Sequence, residues 1–425
     1  MATFTALPGF RDFYPDDLAI RSHIMRAWRE VAHRYGFQEY DGPPLEPLEL
    51  YTEKSGPEIV QQLYNFTDKG GREITLRPEM TPTLARMAGA RAGGLRKPIK
   101  WFAVPQLFRY ERQQRGRLRE HFQLNFDIIG EEDVSADAEL LAAAIDILRV
   151  LGLTAADFVA RVSDRRLLRA LLLHAGVPEE QLVLAYNIVD KLERDPRDVI
   201  AGRLTGEVGL GADAADAVLD IFRHTTFDEV SAEYGGHPGI APELERMRRY
   251  FALLADMGLG DFVRFDLTVV RGLAYYTGIV FELFDTRGEL RAICGGGRYD
   301  DLLKRVAGAD LPALGFGMGD VVLTELLRDR GLLPDTRHTL DFYIVGVEPE
   351  QRGAVVAAAH RLRDAGHSVE YGFVHAGRNR QFKNAAALGA RRVVVLGPDE
   401  VAAGEAIVRD VESGEERRVP LAELG

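Results

Sequence analysis

The stretch from Phe108 to Gly130, FRYERQQRGRLREHFQLNFDIIG, limits the possible folds more than any other part of the chain. Its second half alternates with period two, so Phe122, Leu124, Phe126 and Ile128 share one strand face while Gln123, Asn125 and Asp127 share the other. A strand with two amides and a carboxylate on one side and large apolar groups on the other either turns its polar face to water or lines a site. The segment before it alternates in the same way, Arg109 and Glu111 against Phe108 and Tyr110, which predicts two neighbouring strands presenting charge to one surface. Arg112, Arg115, Arg117 and Arg119 crowd the connection. Arginine offers a planar fork of donors suited to phosphate, although runs of charge at a hairpin tip usually face solvent.

Elsewhere the pattern changes along the chain. Pro15 to Gly36 carries Ile20, Ile24, Trp28, Val31 and Tyr35 at helical spacing, with Asp16 and Asp17 as candidate caps and Gly36 as a stop. Pro43 and Pro44 cannot donate to a ladder, so a strand there belongs at an edge or an interface, and a dimer contact suits it. From about 164 to 260 the reading is helical, with Leu167, Leu168, Leu171 and Leu172 on one side and glycines such as Gly176 and Gly258 at ends. Strand signals resume at Val280 to Phe284, AICGGGRYD and LGFGMG, followed by an apolar helix from Val321 to Leu327. Residues 328–339 are polar with a Gly and a Pro and read as a linker. Beyond them DFYIVGV, HSVEYGF and RRVVVLG alternate with helices at Gln351 to Ala365 and Asn379 to Leu388, which predicts a separate α/β domain with a largely parallel sheet.

The 425 residues suffice for about three units at roughly 150 each. The single cysteine, Cys294, cannot close an intrachain disulfide, which fits a reducing compartment, the cytoplasm. No apolar run reaches membrane-spanning length, and the N-terminal residues lack the basic-then-apolar layout of a signal peptide. A net charge of -12 argues against broad nucleic-acid binding through phosphate neutralisation while leaving a local basic surface open. No HExxH occurs among the ten histidines, so no zinc site is expected.

Two further blocks bear on chemistry. LRPEMTPTLAR places Glu79 before Thr81 and Pro82, which reads either as a capped helix start or as a carboxylate presented to an ammonium group. VVRGLAYYTG joins Arg271 to Tyr275 and Tyr276 ahead of a strand, and Gly295 to Gly297 form a glycine run without P-loop or GxGxxG spacing, whose safest meaning is close backbone approach.

In this order, GFRDFYP, Pro43, LRPEMT, FRYER to FDIIG, VVRGLAYYTG, GGGRYD and GFGMG resemble the class II aminoacyl-tRNA synthetases, and among them the histidyl-tRNA synthetase family, over nearly the whole chain. The resemblance implies an α+β catalytic core at residues 1–327, an antiparallel sheet with flanking helices and a helical insert, then an anticodon-binding α/β domain at residues 340–425. It implies ATP-dependent ligation of L-histidine to its tRNA through a histidyl-adenylate, with ATP and Mg2+ as cofactors and a homodimer as the assembly. Carried onto matching positions, Glu79, Met80, Thr81 and Gln123 would surround the histidine ammonium, and Asp127, Tyr275 and Tyr276 the imidazole. Arg109 and Arg271 would be the catalytic pair, in contact with histidine and with the α-phosphate, and Glu111 would join them on ATP. Arg115, Arg117 and Arg119 would meet the tRNA acceptor end, and Arg378 and Arg380 its anticodon region.

Two positions depart from the family pattern. Ala274 stands where RGLDYY has Asp, and GFGMG is followed by Asp320, Val321 and Val322 where a Glu-Arg pair is usual, so the arginine expected on the terminal phosphate is missing. Arg298 and Arg305 are the candidate replacements. These losses also suit a rival reading, the non-catalytic paralogue that senses histidine as a regulatory subunit of ATP phosphoribosyltransferase. That subunit lacks the C-terminal domain which residues 340–425 predict.

Overall fold

The computed structural model describes all residues except 1–3, Gly56, Gln113, Glu193, 270–275 and His338, and of 53–58 it describes no side chains. The chain divides into two compact units, Met1–Pro334 and Asp335–Gly425.

The strands of the first unit are β1 (Gln38–Glu39), β2 (Leu45–Pro47), β3 (Asn65–Thr67), β4 (Glu73–Leu76), β5 (Ile99–Ala103), β6 (Gln106–Phe108), β7 (Glu120–Ile129), β8 (Phe158–Asp164), β9 (Val263–Phe265), β10 (Ile279–Asp285), β11 (Cys294–Arg298) and β12 (Ala313–Gly319). Nine form one sheet in the order β1-β5-β7-β12-β11-β10-β8-β9, with β6 also on β7. Its interior pairs run antiparallel, but both edge pairs, β1 with β5 and β8 with β9, are parallel, so the sheet is mixed rather than antiparallel throughout. The parallel edges follow from long crossovers that return the chain in the same direction, a helical one between β8 and β9 and one through β2, β3, β4 and their helices between β1 and β5.

The apolar face of β7 explains where the core lies. Phe126 sits 4.3 Å from Phe37 and 5.1 Å from Phe316, ring centroid to ring centroid. Behind it runs the helix Val134–Val150, whose Ala, Leu and Ile residues are buried on almost every side and whose first turn is capped by Asp133 accepting from the Ser135 amide. Helix Pro15–Arg34 packs beside it. Tyr14 rather than an aspartate holds the N-cap there, and Asp16 and Asp17 fall in the first turn, where negative charge still suits the helix dipole. Between β8 and β9 every named element is helical, from Arg165–His174 to Ala241–Asp256. The first of these is capped by Asp164, which accepts from the amides of Arg166 and Leu167 and pairs with Arg246 at 2.7 Å.

β2, β4 and β3 make a separate small sheet in which β2, directly after Pro43 and Pro44, is an edge. The helix Asp320–Asp329 extends two residues into the stretch read as linker. Arg330 beyond it is buried against Asp157, at 2.9 Å, and Asp285, while Leu332 and Leu333 pack on the main core.

The second unit contains β13 (Leu340–Gly346), β14 (Val369–Tyr371), β15 (Ala390–Leu396), β16 (Glu405–Asp410) and β17 (Glu416–Pro420), ordered β14-β13-β15-β16-β17. The first three strands pair in parallel as alternation predicts, but β16 and β17 add antiparallel partners, so the sheet is half parallel rather than largely so. Two apolar clusters, built on Ile344 and Val394 and on Val345 and Val395, cover its faces.

Candidate functional site

The polar face of β7 is not solvated. Asn125 is 6% exposed and Asp127 3%, and both open onto a cavity of about 80 Å³ with Gln123, Glu79, Thr81 and Tyr276. At roughly 10–15 Å³ per water that space holds on the order of six waters, the bulk of a small amino acid and not of a nucleotide. Its width is set by glycine. Gly315 lies directly opposite Asp127 in the β7–β12 register, and a Cβ built there would run into the Asp127 Oδ1; one on Gly317 would strike the Gln123 amide. Gly296 and Gly297 of β11 likewise have neighbouring strand atoms where a Cβ would go, which is the close approach that the glycine run implies, whereas Gly295 lines the cavity.

The cavity walls are polar groups held in place. The Tyr299 hydroxyl donates to the Asp127 carboxylate, and Asn125 Oδ1 is buried without a hydrogen-bond partner among the described residues. Tyr299 and Asn125 lie outside the set of site residues that the resemblance implies, although the alternation of β7 puts Asn125 on the polar face. Tyr299 carries no periodic signal, because it follows β11 and reaches Asp127 across β12. Thr81 is the first residue of the helix Thr81–Arg91 and not its cap; Met80 occupies the cap position. The Met80 side chain is fully buried, within 3.9 Å of the Arg77 guanidinium, and is not part of the cavity wall, so Met80 shapes the turn that presents Glu79 and Thr81.

Arg109 lines this cavity and also a second, larger one of about 670 Å³. Its Nε donates to the Pro78 carbonyl at 3.0 Å, which fixes the guanidinium between the two spaces. Glu111, Arg117, Arg194, Arg291 and His121 line the larger cavity, with Val321 and Val322 at the start of the helix Asp320–Asp329. His121 donates its Nε2 proton to Gln123 Oε1 at 3.2 Å, and burial followed by the positive charge of Arg109 depresses the imidazole to about 4. Neutral at physiological pH, it adds no further positive charge.

The basic connection is partly neutralised by its own surroundings. Arg115 pairs with Glu325 at 3.2 Å and with Asp329 at 3.6 Å, Arg117 pairs with Glu111, and Arg119 lies 4.3 Å over the Tyr110 ring. Arg271, Tyr275 and Ala274 lie outside the described residues. Of the candidate replacements for the missing arginine, Arg298 is buried in a pair with Asp137 at 2.5 Å, and burial lifts the Asp137 carboxyl despite that contact. Arg305 is exposed on the helix Leu302–Ala307 and is absent from the cavity wall. Asp320 is structural: it accepts from Arg11 at 2.9 Å and from the Phe122 amide at 3.0 Å, tying the GFRDFYP block to β7. Among the described residues no group of three His, Cys, Asp or Glu is placed to hold a metal, and no helix is long and apolar enough to cross a membrane.

In the second unit Arg378 and Arg380 open the helix Arg378–Ala387, both exposed. Just before them Phe373 and Val374 are 81% and 82% exposed, an apolar pair that stands out only once burial is known.

Comparison with known proteins agrees with this arrangement. Residues 9–320 match the family model of histidyl-tRNA synthetase and residues 341–425 that of an anticodon binding domain. The histidine--tRNA ligase of Opitutus terrae is 47% identical over the whole chain and 98% of its own length, and the chloroplastic/mitochondrial histidine--tRNA ligase of Arabidopsis thaliana is 41% identical over 98% of this chain and 85% of its own. The crystal structure of histidyl-tRNA synthetase from Nostoc sp. PCC 7120 superposes with a TM-score of 0.82 over 100% of this chain and 99% of that one, at 24% identity, which speaks to the fold. Matched along both units, the chain belongs to the histidyl-tRNA synthetase family.

Proposed function

We propose that this chain ligates L-histidine to its tRNA in two steps, first forming histidyl-adenylate from histidine and ATP and then passing the acyl group to the terminal ribose of the tRNA. The observation that carries this reading is Arg109, shared by an amino-acid-sized cavity and a nucleotide-sized one. In the first step an oxygen of the histidine carboxylate forms a bond to the α-phosphorus and the bond to pyrophosphate breaks. Both partners are anionic, so the step depends on alignment and on fixed positive charge where negative charge gathers. Arg109 meets both requirements. Arg271, assigned from the resemblance alone, would flank the same phosphate.

Glu79, Thr81 and Gln123 are suited to the ammonium group, and Asp127 and Tyr276 to the two imidazole nitrogens, with Tyr299 orienting the carboxylate and Tyr275 assigned beside them from the resemblance. A buried carboxylate facing imidazole fixes the tautomer and penalises amino acids that lack the matching donor. Glu111 and the cations of the larger cavity suit the rest of the nucleotide. Magnesium fits as part of the MgATP substrate, since it binds phosphates and waters more readily than all-protein cages and no such cage is formed by the described residues. On the tRNA side, Arg117 in the wall of the larger cavity, with Arg115 and Arg119 two residues to either side in sequence, suits the acceptor end. Phe373 with Arg378 and Arg380 offers a stacking ring beside phosphate-binding cations for the anticodon. A cytoplasmic homodimer completes the reading, and the edge strands β2 and β3, with half-exposed Leu45 and Phe66 respectively, supply a surface for it.

A regulatory subunit without an anticodon-binding unit is the weaker reading, because the ligase relatives match through both units. Histidine-dependent exchange of labelled pyrophosphate into ATP, followed by charging of histidine tRNA, tests the proposal. Histidine binding without exchange under saturating MgATP would overturn it.

A further inference from the structure

The helix Asp320–Asp329 opens with valines against the larger cavity, at and beside position 322 where the family pattern places an arginine, yet the cavity wall still holds cations. The register of the sheet locates one of them beside the gap. β11 and β12 pair antiparallel with Cys294 opposite Met318, and the same register continued beyond the strand ends brings Arg291 level with Val321. A second distance agrees. A Cβ placed on Gly116 would lie 3.3 Å from Val322 Cγ2 and 3.9 Å from Arg291 Cδ, so both side chains converge on one point of the wall.

Arg291 also differs from its neighbours in what it touches. Arg117 is paired with Glu111, and Arg115 with Glu325 and Asp329. Arg298 is committed to Asp137. Arg291 is exposed and donates to the neutral Gln114 Oε1 at 2.8 Å, and among the described residues no carboxylate pairs with its charge. A guanidinium with that charge, opening onto a space of nucleotide size beside a second cation, Arg194, is chemically matched to a phosphate oxygen.

We propose that Arg291 binds the terminal phosphates of ATP, supplying from the entrance of β11 the positive charge that position 322 lacks. The proposal rests on the synthetase reading for its substrate. It assigns the β- and γ-phosphates because Arg109, fixed between the two cavities, already stands where the carboxylate and α-phosphate meet.

The test uses the full-length protein in tRNA-free, histidine-dependent pyrophosphate exchange. Arg291→Ala should raise the KM for ATP and for pyrophosphate by about 10-fold or more, the scale of one charge-assisted hydrogen bond, and leave the histidine KM within about two-fold. Arg291→Lys should recover part of the loss, and Arg291→Ala combined with Val322→Arg should recover more, since it restores a guanidinium at the adjoining point. Gln114→Ala, which removes only the amide partner, should leave the ATP KM within about two-fold. Unchanged ATP and pyrophosphate KM in Arg291→Ala would overturn the proposal, as would a Gln114→Ala variant that reproduces its defect, which would make Arg291 a brace for the loop. Calorimetric titration with MgATP separates this from the parent reading. If the unmodified protein shows no exchange, the synthetase reading fails, while a Kd for MgATP raised about 10-fold by Arg291→Ala still supports the phosphate contact and an unchanged Kd refutes it.

Discussion

Asp127 is 3% exposed, receives the Tyr299 hydroxyl, and faces a cavity that fits one small polar ligand. Replacing it with asparagine keeps the shape and removes the charged acceptor, so Asp127→Asn should lower kcat/KM for histidine by about 10- to 100-fold, the range of one charged hydrogen bond, with little change in the ATP KM. A near-normal histidine KM would remove Asp127 from the pocket. His121 leads to a different expectation, on stability. An imidazole in the unfolded chain titrates near 6.5, roughly, whereas burial and Arg109 hold this one to about 4. Between those values the unfolded state takes up a proton that the folded state refuses, so this contribution is fully present above the unfolded value and is lost as pH falls toward 4. Denaturant midpoints measured across that window should fall less steeply for His121→Gln than for the unmodified protein; equal slopes would show that His121 is not the group responsible. Period-two alternation is enough to place Gln123, Asn125 and Asp127 together. Nothing local distinguishes His121, which shares the polar alternation only by position.

At the scale of elements, the site exists because β12 lacks side chains where β7 has its polar ones. Gly315→Ala should crowd the Asp127 carboxylate, lower histidine affinity strongly, and cost about 1–3 kcal/mol of stability as an overpacked contact. Gly202→Ala, in a helix with open space where its Cβ would stand, is the matching control and should leave histidine affinity unchanged while raising stability by about 0.5–1 kcal/mol. A Gly315→Ala variant with unaltered histidine KM would mean that the strands can part. The glycines of GFGMG are visible in the sequence, but their purpose is not, since pairing of residue 315 with 127 is a property of the sheet and not of either segment. The same reason accounts for the other differences. Helix interiors such as Leu167 to Leu172 are legible from their spacing, while the parallel edges β1 and β9 depend on crossovers and partners far along the chain. Caps mislead for a simpler reason: Asp16, Asp17 and Thr81 are good capping residue types, but a proline at the helix start fixes the boundary first.

For the whole molecule, the division after Pro334 separates two units that each enclose their own apolar core, one around Phe126 and the helix Val134–Val150, the other around Ile344 and Val394. The place of a truncation therefore matters. Ending the chain after Leu327 would remove the last two residues of the helix Asp320–Asp329 together with Arg330, whose side chain is 7% exposed and joins Asp157 to Asp285. Those carboxylates would be left without their cation, and Leu332 and Leu333 would be lost from the core, a combination expected to cost several kcal/mol, roughly the 3–5 of a broken buried pair. Ending it after Pro334 spares all of these contacts. The 1–334 fragment should remain folded, with a thermal midpoint clearly above that of 1–327, and should keep histidine-dependent pyrophosphate exchange because both cavities lie within the first unit. Charging of histidine tRNA should fall steeply in the same fragment, since Phe373, Arg378 and Arg380 are gone. Exchange lost together with charging in a fragment that is still folded would show that the second unit contributes to activation itself, and charging retained at full rate would remove the anticodon role from that unit.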